Sequence, residues 1–114
     1  MPAPRSAREE EVAMLKKSYS RNRKTCKVTF TLPPEAATGA ESVHLVGDFN
    51  NWDKTSLPLK RSAEGSWETT LSLDAGREYL FRYCLDGTRW ENDWNADKYL
   101  PSPYGDSDNS VVIV

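Results

Sequence analysis

Chemistry in this 114-residue chain would have to begin with one histidine, two cysteines, four tryptophans and a scatter of carboxylates. His44 lies in Val43-His44-Leu45, where polarity alternates as in a strand, and reads as a surface or rim residue. It has no nucleophile to serve. Cys84 occupies an outward strand position with nothing to activate it, and no serine stands in a Gly-x-Ser-x-Gly elbow. Glycoside hydrolysis needs two positioned carboxylates, one of them kept protonated by a dry pocket. The acidic residues here fall almost entirely in predicted turns, where water keeps them ionised. No phosphate loop or dinucleotide fingerprint is present. Asp93, Asn95 and Asp97 match the first three ligand positions of a calcium loop, but Lys98 stands where glycine must turn the chain and Tyr104 where a bidentate glutamate must close it. The expectation is a protein with no catalytic residues, no metal and no cofactor.

The remaining signal is aromatic. Trp67 keeps phase with Leu71 and Leu73, which assigns it to a core. Trp52, Trp90 and Trp94 lie in or beside polar segments, Asn50-Asn51-Trp52-Asp53 and Trp90-Glu91-Asn92-Asp93-Trp94-Asn95. Tryptophans so placed either cap the end of a core or form a platform for something flat, partly apolar and rich in hydroxyls. A pyranose ring fits the second description. Its C–H groups stack on an indole while its equatorial hydroxyls reach sideways to Asn, Asp and Arg. Each aromatic contact of this kind is worth about 1 kcal/mol beyond area burial.

Elements of period two must position these residues. In Cys26 to Leu32 the even positions are apolar, and Pro33-Pro34 ends the run. Further strands are expected at Val43–Gly47, around Leu57 and Leu59, at Trp67–Leu73, at Tyr79–Leu85 and at Arg89–Glu91, where Asp86-Gly87 marks a hairpin, and at Val111–Val114. The segment between Glu91 and Val111, with Pro101, Pro103 and Gly105, reads as a long polar connection. Seven strands at about ten-residue spacing imply an all-β, immunoglobulin-like sandwich. Along Tyr79–Leu85 the odd positions face the core, so Leu80, Arg82 and Cys84 face outward; Cys26 faces inward, which opposes a Cys26–Cys84 disulfide. Ahead of the sandwich, Ser6-Ala7-Arg8-Glu9 has capping-box spacing, acids precede Lys16 and Lys17, and Val12, Leu15 and Tyr19 make a stripe. A short helix is expected there, giving a basic helical arm over residues 1–22 and a domain over 23–114.

Composition limits the partners. Residues 1–31 carry eight basic and three acidic side chains, whereas residues 32–114 carry seven and fourteen, for a net charge of −2. An acidic domain does not suit nucleic acid, which rewards a surplus of cations. No apolar run approaches the ~20 residues of a membrane span, and no signal peptide is apparent. Two cysteines 58 residues apart fit no paired motif, so a reduced, cytoplasmic setting is expected.

Ser42 to Trp52 with its Gly-x-Phe-Asn-x-Trp block, Leu57-Pro58-Leu59, Tyr79 to Leu85 with Asp86-Gly87, Trp90-x-x-Asp93 and Asn109 to Val114 occur in an order that resembles the glycogen-binding carbohydrate-binding modules. These are the early-set, immunoglobulin-like domains of the AMP-activated protein kinase β subunit and of the N-terminus of isoamylases and branching enzymes. The resemblance covers about residues 25–114. It implies α-1,4-linked glucan, of the glycogen or starch kind, as the ligand. It also implies sugar-stacking roles for Trp52 and Trp90, hydroxyl contacts from Arg82 and Asn109, and an apolar contact threading the curve of the glucan at Tyr104. Trp94 stands where the kinase subunit has proline and reads as a packing residue, with an added platform as the alternative. The chain ends on the final strand, so the module is expected to stand alone, with a separate glycogen-metabolising enzyme as a partner. The rival expectation is a protein-interaction module that dimerises through its N-terminal arm and binds sugar weakly or not at all.

Overall fold

The computed structural model describes residues 15–102 and 108–114. Among them it shows nine strands and two short 3-10 turns, arranged as two antiparallel sheets. The four-stranded sheet runs β1 (Leu15–Tyr19), β2 (Thr25–Leu32), β5 (Trp67–Asp74), β4 (Lys60–Arg61). The other sheet runs β3 (Val43–Gly47), β6 (Glu78–Leu85), β9 (Asp108–Ile113), β8 (Lys98–Pro101), with β7 (Arg89–Glu91) pairing the end of β6. The all-β sandwich read from the sequence is the fold.

Alternation builds the core. Cys26, Val28, Phe30 and Leu32 on β2 and Tyr79, Phe81, Tyr83 and Leu85 on β6 are buried between the sheets. Phe30 meets Phe81 edge-on at 5.1 Å, and Phe81 meets Tyr83 at 5.8 Å. Such tilted contacts suit the ring quadrupoles. Trp67 joins this core, as its phase implied, and Cys26 and Cys84 are unbridged. At the β6–β7 turn, residues 86–88 join Leu85 to its partner Arg89; Asp86 and Gly87 both take positive φ, and the Thr88 amide closes the turn by donating to Leu85 O. The Asp86 carboxylate accepts from the amides of Glu41 and Ser42, which fastens the turn to the approach of β3 and holds its pKa below the usual carboxylate value.

Three local expectations are corrected. Leu15–Tyr19 is not the end of a helix but strand β1, paired with β2 in register Leu15↔Phe30 to Tyr19↔Cys26. Leu15 and Tyr19 are four residues apart, an even spacing that shares a strand face as readily as a helix face. The fold's requirement for a partner to β2 selects the strand. The rest of the expected helix lies outside the described residues. Second, the polar connection contains β8, whose four residues are all exposed. Third, the segment around Leu57 and Leu59 crosses between sheets. Leu57 and Leu59 exchange backbone hydrogen bonds with Leu45 and Val43, and the next residues, Lys60–Arg61, pair with β5 in the opposite sheet.

The two sheets are also tied outside the core. Asp97 accepts from Lys17 Nζ on β1 and from the Ile113 amide on β9, each at 2.7 Å. Gly47 is packed too tightly to carry a side chain. A Cβ there would collide with the Leu80 carbonyl oxygen and stand only 2.8 Å from Phe81 Cβ and 2.9 Å from the Phe49 ring. Gly47→Ala is therefore expected to destabilise the domain by about 2 kcal/mol or more through overpacking. Thermal unfolding checks this: a midpoint within ~2 °C of the wild type would contradict the packing described.

Candidate functional site

The loop after β3 is built from its own side chains. Phe49 turns inward to pack 5.7 Å from Phe30. Asn50 closes the turn, its Oδ1 accepting from the Gly47 amide while its Nδ2 donates to Leu45 O, Asp53 O and Ser56 Oγ. Asp48 faces two ways: Oδ2 accepts from the Leu80 amide on β6 at 2.8 Å, and Oδ1 accepts from the Trp52 indole Nε1–H at 3.0 Å. Asn51 and Trp52 both adopt positive φ, uncommon for asparagine and strained for a tryptophan. The Trp52 amide donates to Gly47 O. The loop thus holds the indole by its polar edge, with 36% of the residue exposed.

Trp90 reaches the surface by a different route. It stands on β7 opposite Cys84, on the outer face of the five-stranded sheet, and is 44% exposed. Lys54, two residues beyond Trp52, places its Nζ 5.7 Å from the Trp90 ring centroid and donates to Gly87 O at the hairpin turn. The loop bearing Trp52 is therefore fastened to the hairpin bearing Trp90. Arg82 lies on the same outer face, opposite Val46, and its Nε donates to Asn109 Oδ1 at 2.7 Å. Asn109 itself is 5% exposed. The structure brings Trp90, Arg82 and Asn109 onto one sheet face and ties the loop that bears Trp52 to the hairpin that bears Trp90. Tyr104 lies outside the described residues.

That face has a floor of its own. Val46, Cys84 and Val111 are fully buried yet stand apart from the core between the sheets. Trp90 and Arg82 stand directly across the strands from Cys84 and Val46, so long side chains shelter short ones. Cys84 points outward as its parity required, but it is sealed rather than exposed. Burial pushes its thiol pKa up, which makes it unreactive.

Three residues of consequence escape the sequence reading. Asp48 and Lys54 position the rings, and nothing in residue type distinguishes them from ordinary loop polar groups. Asp93, weighed there only as a calcium-loop position and as part of the Trp90-x-x-Asp93 motif, is fully buried. Its Oδ2 accepts from Tyr83 Oη at 3.0 Å, its Oδ1 accepts from the Asn95 amide, and its own amide donates to Ser110 Oγ. Burial pushes the carboxyl up to about 6, against the lowering effect of the Asn95 amide and the Tyr83 hydroxyl. Tyr83, buried beside it, is held well above the usual phenol value. Among the described residues no group of His, Cys, Asp and Glu is arranged to hold a metal ion.

Residues 21–105 match the model of carbohydrate-binding module 48, the isoamylase N-terminal domain. The chain belongs to this family. Curated relatives of the module include the 1,4-alpha-glucan branching enzyme GlgB of Aquifex aeolicus, 40% identical over 60 residues, which are 50% of this chain and 9% of that protein. The 1,4-alpha-glucan-branching enzyme of Dictyostelium discoideum is 61% identical over 39 residues, or 34% of this chain and 6% of that protein. The chain thus spans less than a tenth of the length of either. Among solved structures, the catalytic module of the pneumococcal glycogen-degrading virulence factor SpuA aligns over 90% of this chain and 16% of its own, with a TM-score of 0.57 and 17% identity, a likeness of fold.

Asp93 gives the module a signed pH dependence. The native carboxyl titrates near 6 and the ordinary value is 3.8, so between those limits the folded chain holds a proton that the unfolded chain has released. Stability from this group is therefore greatest in acid and falls as pH rises through the window, by roughly 3 kcal/mol in total. Asp93→Asn keeps the neutral shape, its Oδ1 still accepting from the Asn95 amide and its Nδ2 donating to Tyr83 Oη where the carboxylate accepted. Relative to wild type, the variant should gain stability between pH 4 and pH 7; thermal unfolding curves that shift in parallel at both pH values would contradict the assignment.

Proposed function

We propose that this module binds α-1,4-linked glucan, glycogen or starch-like, and performs no catalysis itself. Trp52 and Trp90 stack successive glucose rings, and the Arg82–Asn109 pair meets ring hydroxyls at the side. The observation that carries this reading is the pair of solvent-facing indoles, each fixed by its own surroundings and linked through Lys54, on a fold of carbohydrate-binding module 48. The names of the branching enzymes it resembles, which act on 1,4-alpha-glucan, support the choice of polymer. Two or three stacked rings with exposed hydrogen bonds correspond to a Kd of roughly micromolar to millimolar. That strength suits a module that tethers glucan-processing machinery to a polymer and lets it go. We take that machinery to be a glycogen-metabolising enzyme, and the setting to be cytoplasmic, a choice supported by the two unbridged cysteines.

Pairing of copies through the N-terminal arm is the weaker reading. β1 forms an edge of its sheet but presents Lys16, Lys17 and Ser18 as exposed residues, and lysines on an edge discourage strand addition.

Electrophoresis in native gels containing glycogen tests the proposal. The wild type should be retarded in proportion to glycogen concentration, and Trp52→Ala/Trp90→Ala should lose most of that retardation. Equal mobility with and without glycogen, or retardation unaltered in the double variant, would overturn it.

A further inference from the structure

Of the four tryptophans, the one with the greatest exposure is neither of the proposed stacking pair. Trp94 is 52% exposed, and its indole Nε1–H donates to Glu91 Oε2 at 2.9 Å. Glu91 stands opposite Tyr83, on the core side of the sheet, whereas Trp90 stands opposite Cys84 on the outer side. Trp94 therefore belongs to the side of β7 away from Trp90. Tyr99 on β8 is opposite Ser110, which in turn is opposite Phe81, so it lies on the same side as Glu91. It is 41% exposed, and its hydroxyl donates to Asp93 O while accepting from the Ala96 amide.

We propose that Trp94 and Tyr99 form a second glucan-stacking surface, on the opposite side of β7 from Trp90, which makes the module bivalent. The inference rests on the glucan-binding reading above and extends it to a site of different residues. Both rings have their polar edges bonded within the protein, and the two residues remain 52% and 41% exposed, as an aromatic surface. That surface matches the C–H face of a hexose and gives nothing to an anion. Both are anchored about one buried node: Trp94 follows Asp93 in sequence, and Tyr99 is bonded to its carbonyl. Rings held in this way lose little freedom when a ligand lands. The Glu91 carboxylate at the rim supplies an acceptor for sugar hydroxyls. The patch is narrow. Leu100 and Ile113, the other exposed aliphatic side chains, stand opposite Asn109 and Glu78 and so lie on the outer face. Two rings suit one or two sugars, far less than the ~800 Å² that each side of a protein interface covers.

Two sites on one small domain raise affinity for a polymer, which can reach both, more than for a short ligand, which cannot. Isothermal titration of the full chain with β-cyclodextrin tests this directly. The wild type should take two equivalents, Trp52→Ala/Trp90→Ala one weak equivalent, and the triple variant with Trp94→Ala none. Trp94→Ala alone should bind glycogen at least tenfold more weakly, with Trp94→Phe recovering part of the loss. One equivalent in the wild type, with Trp94→Ala unchanged toward glycogen, would overturn the second surface and leave the first intact. No binding by the wild type would overturn both. A measurement independent of the Trp94→Ala fold uses Trp52→Ala/Trp90→Ala: the indole N–H resonance of Trp94 should move on adding β-cyclodextrin, and a stationary signal would overturn the proposal.

Discussion

The bifurcated carboxylate of Asp48 is the contact on which the site depends. One oxygen takes the amide of Leu80, in the middle of the five-stranded sheet, and the other takes the indole of Trp52. A loop side chain is thereby referenced to the backbone of β6, the strand that also carries Arg82. Phe49 and Asn50 serve the same end, one by filling the core and the other by closing the turn. The Gly-Asp-Phe-Asn-Asn-Trp segment is best understood as a bracket in which Asp48, Phe49 and Asn50 each have a separate mechanical task and together present the Trp52 indole at the surface.

Trp90 needs no such bracket because a strand already fixes it. The two rings are thus supported by unlike means, a self-bonded loop and a hairpin, and Lys54 spans the gap between them. Beneath them the outer face of the sheet is sealed by Val46, Cys84 and Val111. Short apolar side chains form the floor, and Arg82 and Trp90 stand across the strands from two of them.

Period-two alternation made the central strands readable, since a sheet with one dry face leaves its pattern in the residues themselves. It failed where a strand has no such face. All of β8 is exposed and ends in proline, so its residues carry no alternation to read. β1 was ambiguous for a related reason: Leu15 and Tyr19 satisfy both a helix and a strand. Of the site, the exposed tryptophans and the outward parity of Arg82 were visible because loop aromatics and strand phase are local properties. The burial of Asp93 was not visible. It depends on Tyr83, ten residues away, ending its side chain where the 92–97 connection passes over the sheet. Long-range coincidences of that sort leave no mark on residue type.

The positive φ of Trp52 sets two selective pressures against each other at one position. Glycine or asparagine would sit in that backbone with less strain, by about 1 kcal/mol or more. Any drift toward a more robust loop therefore passes through loss of the indole, and a descendant of this domain that has abandoned its ligand should be recognisable by a small residue at this turn and a higher melting temperature.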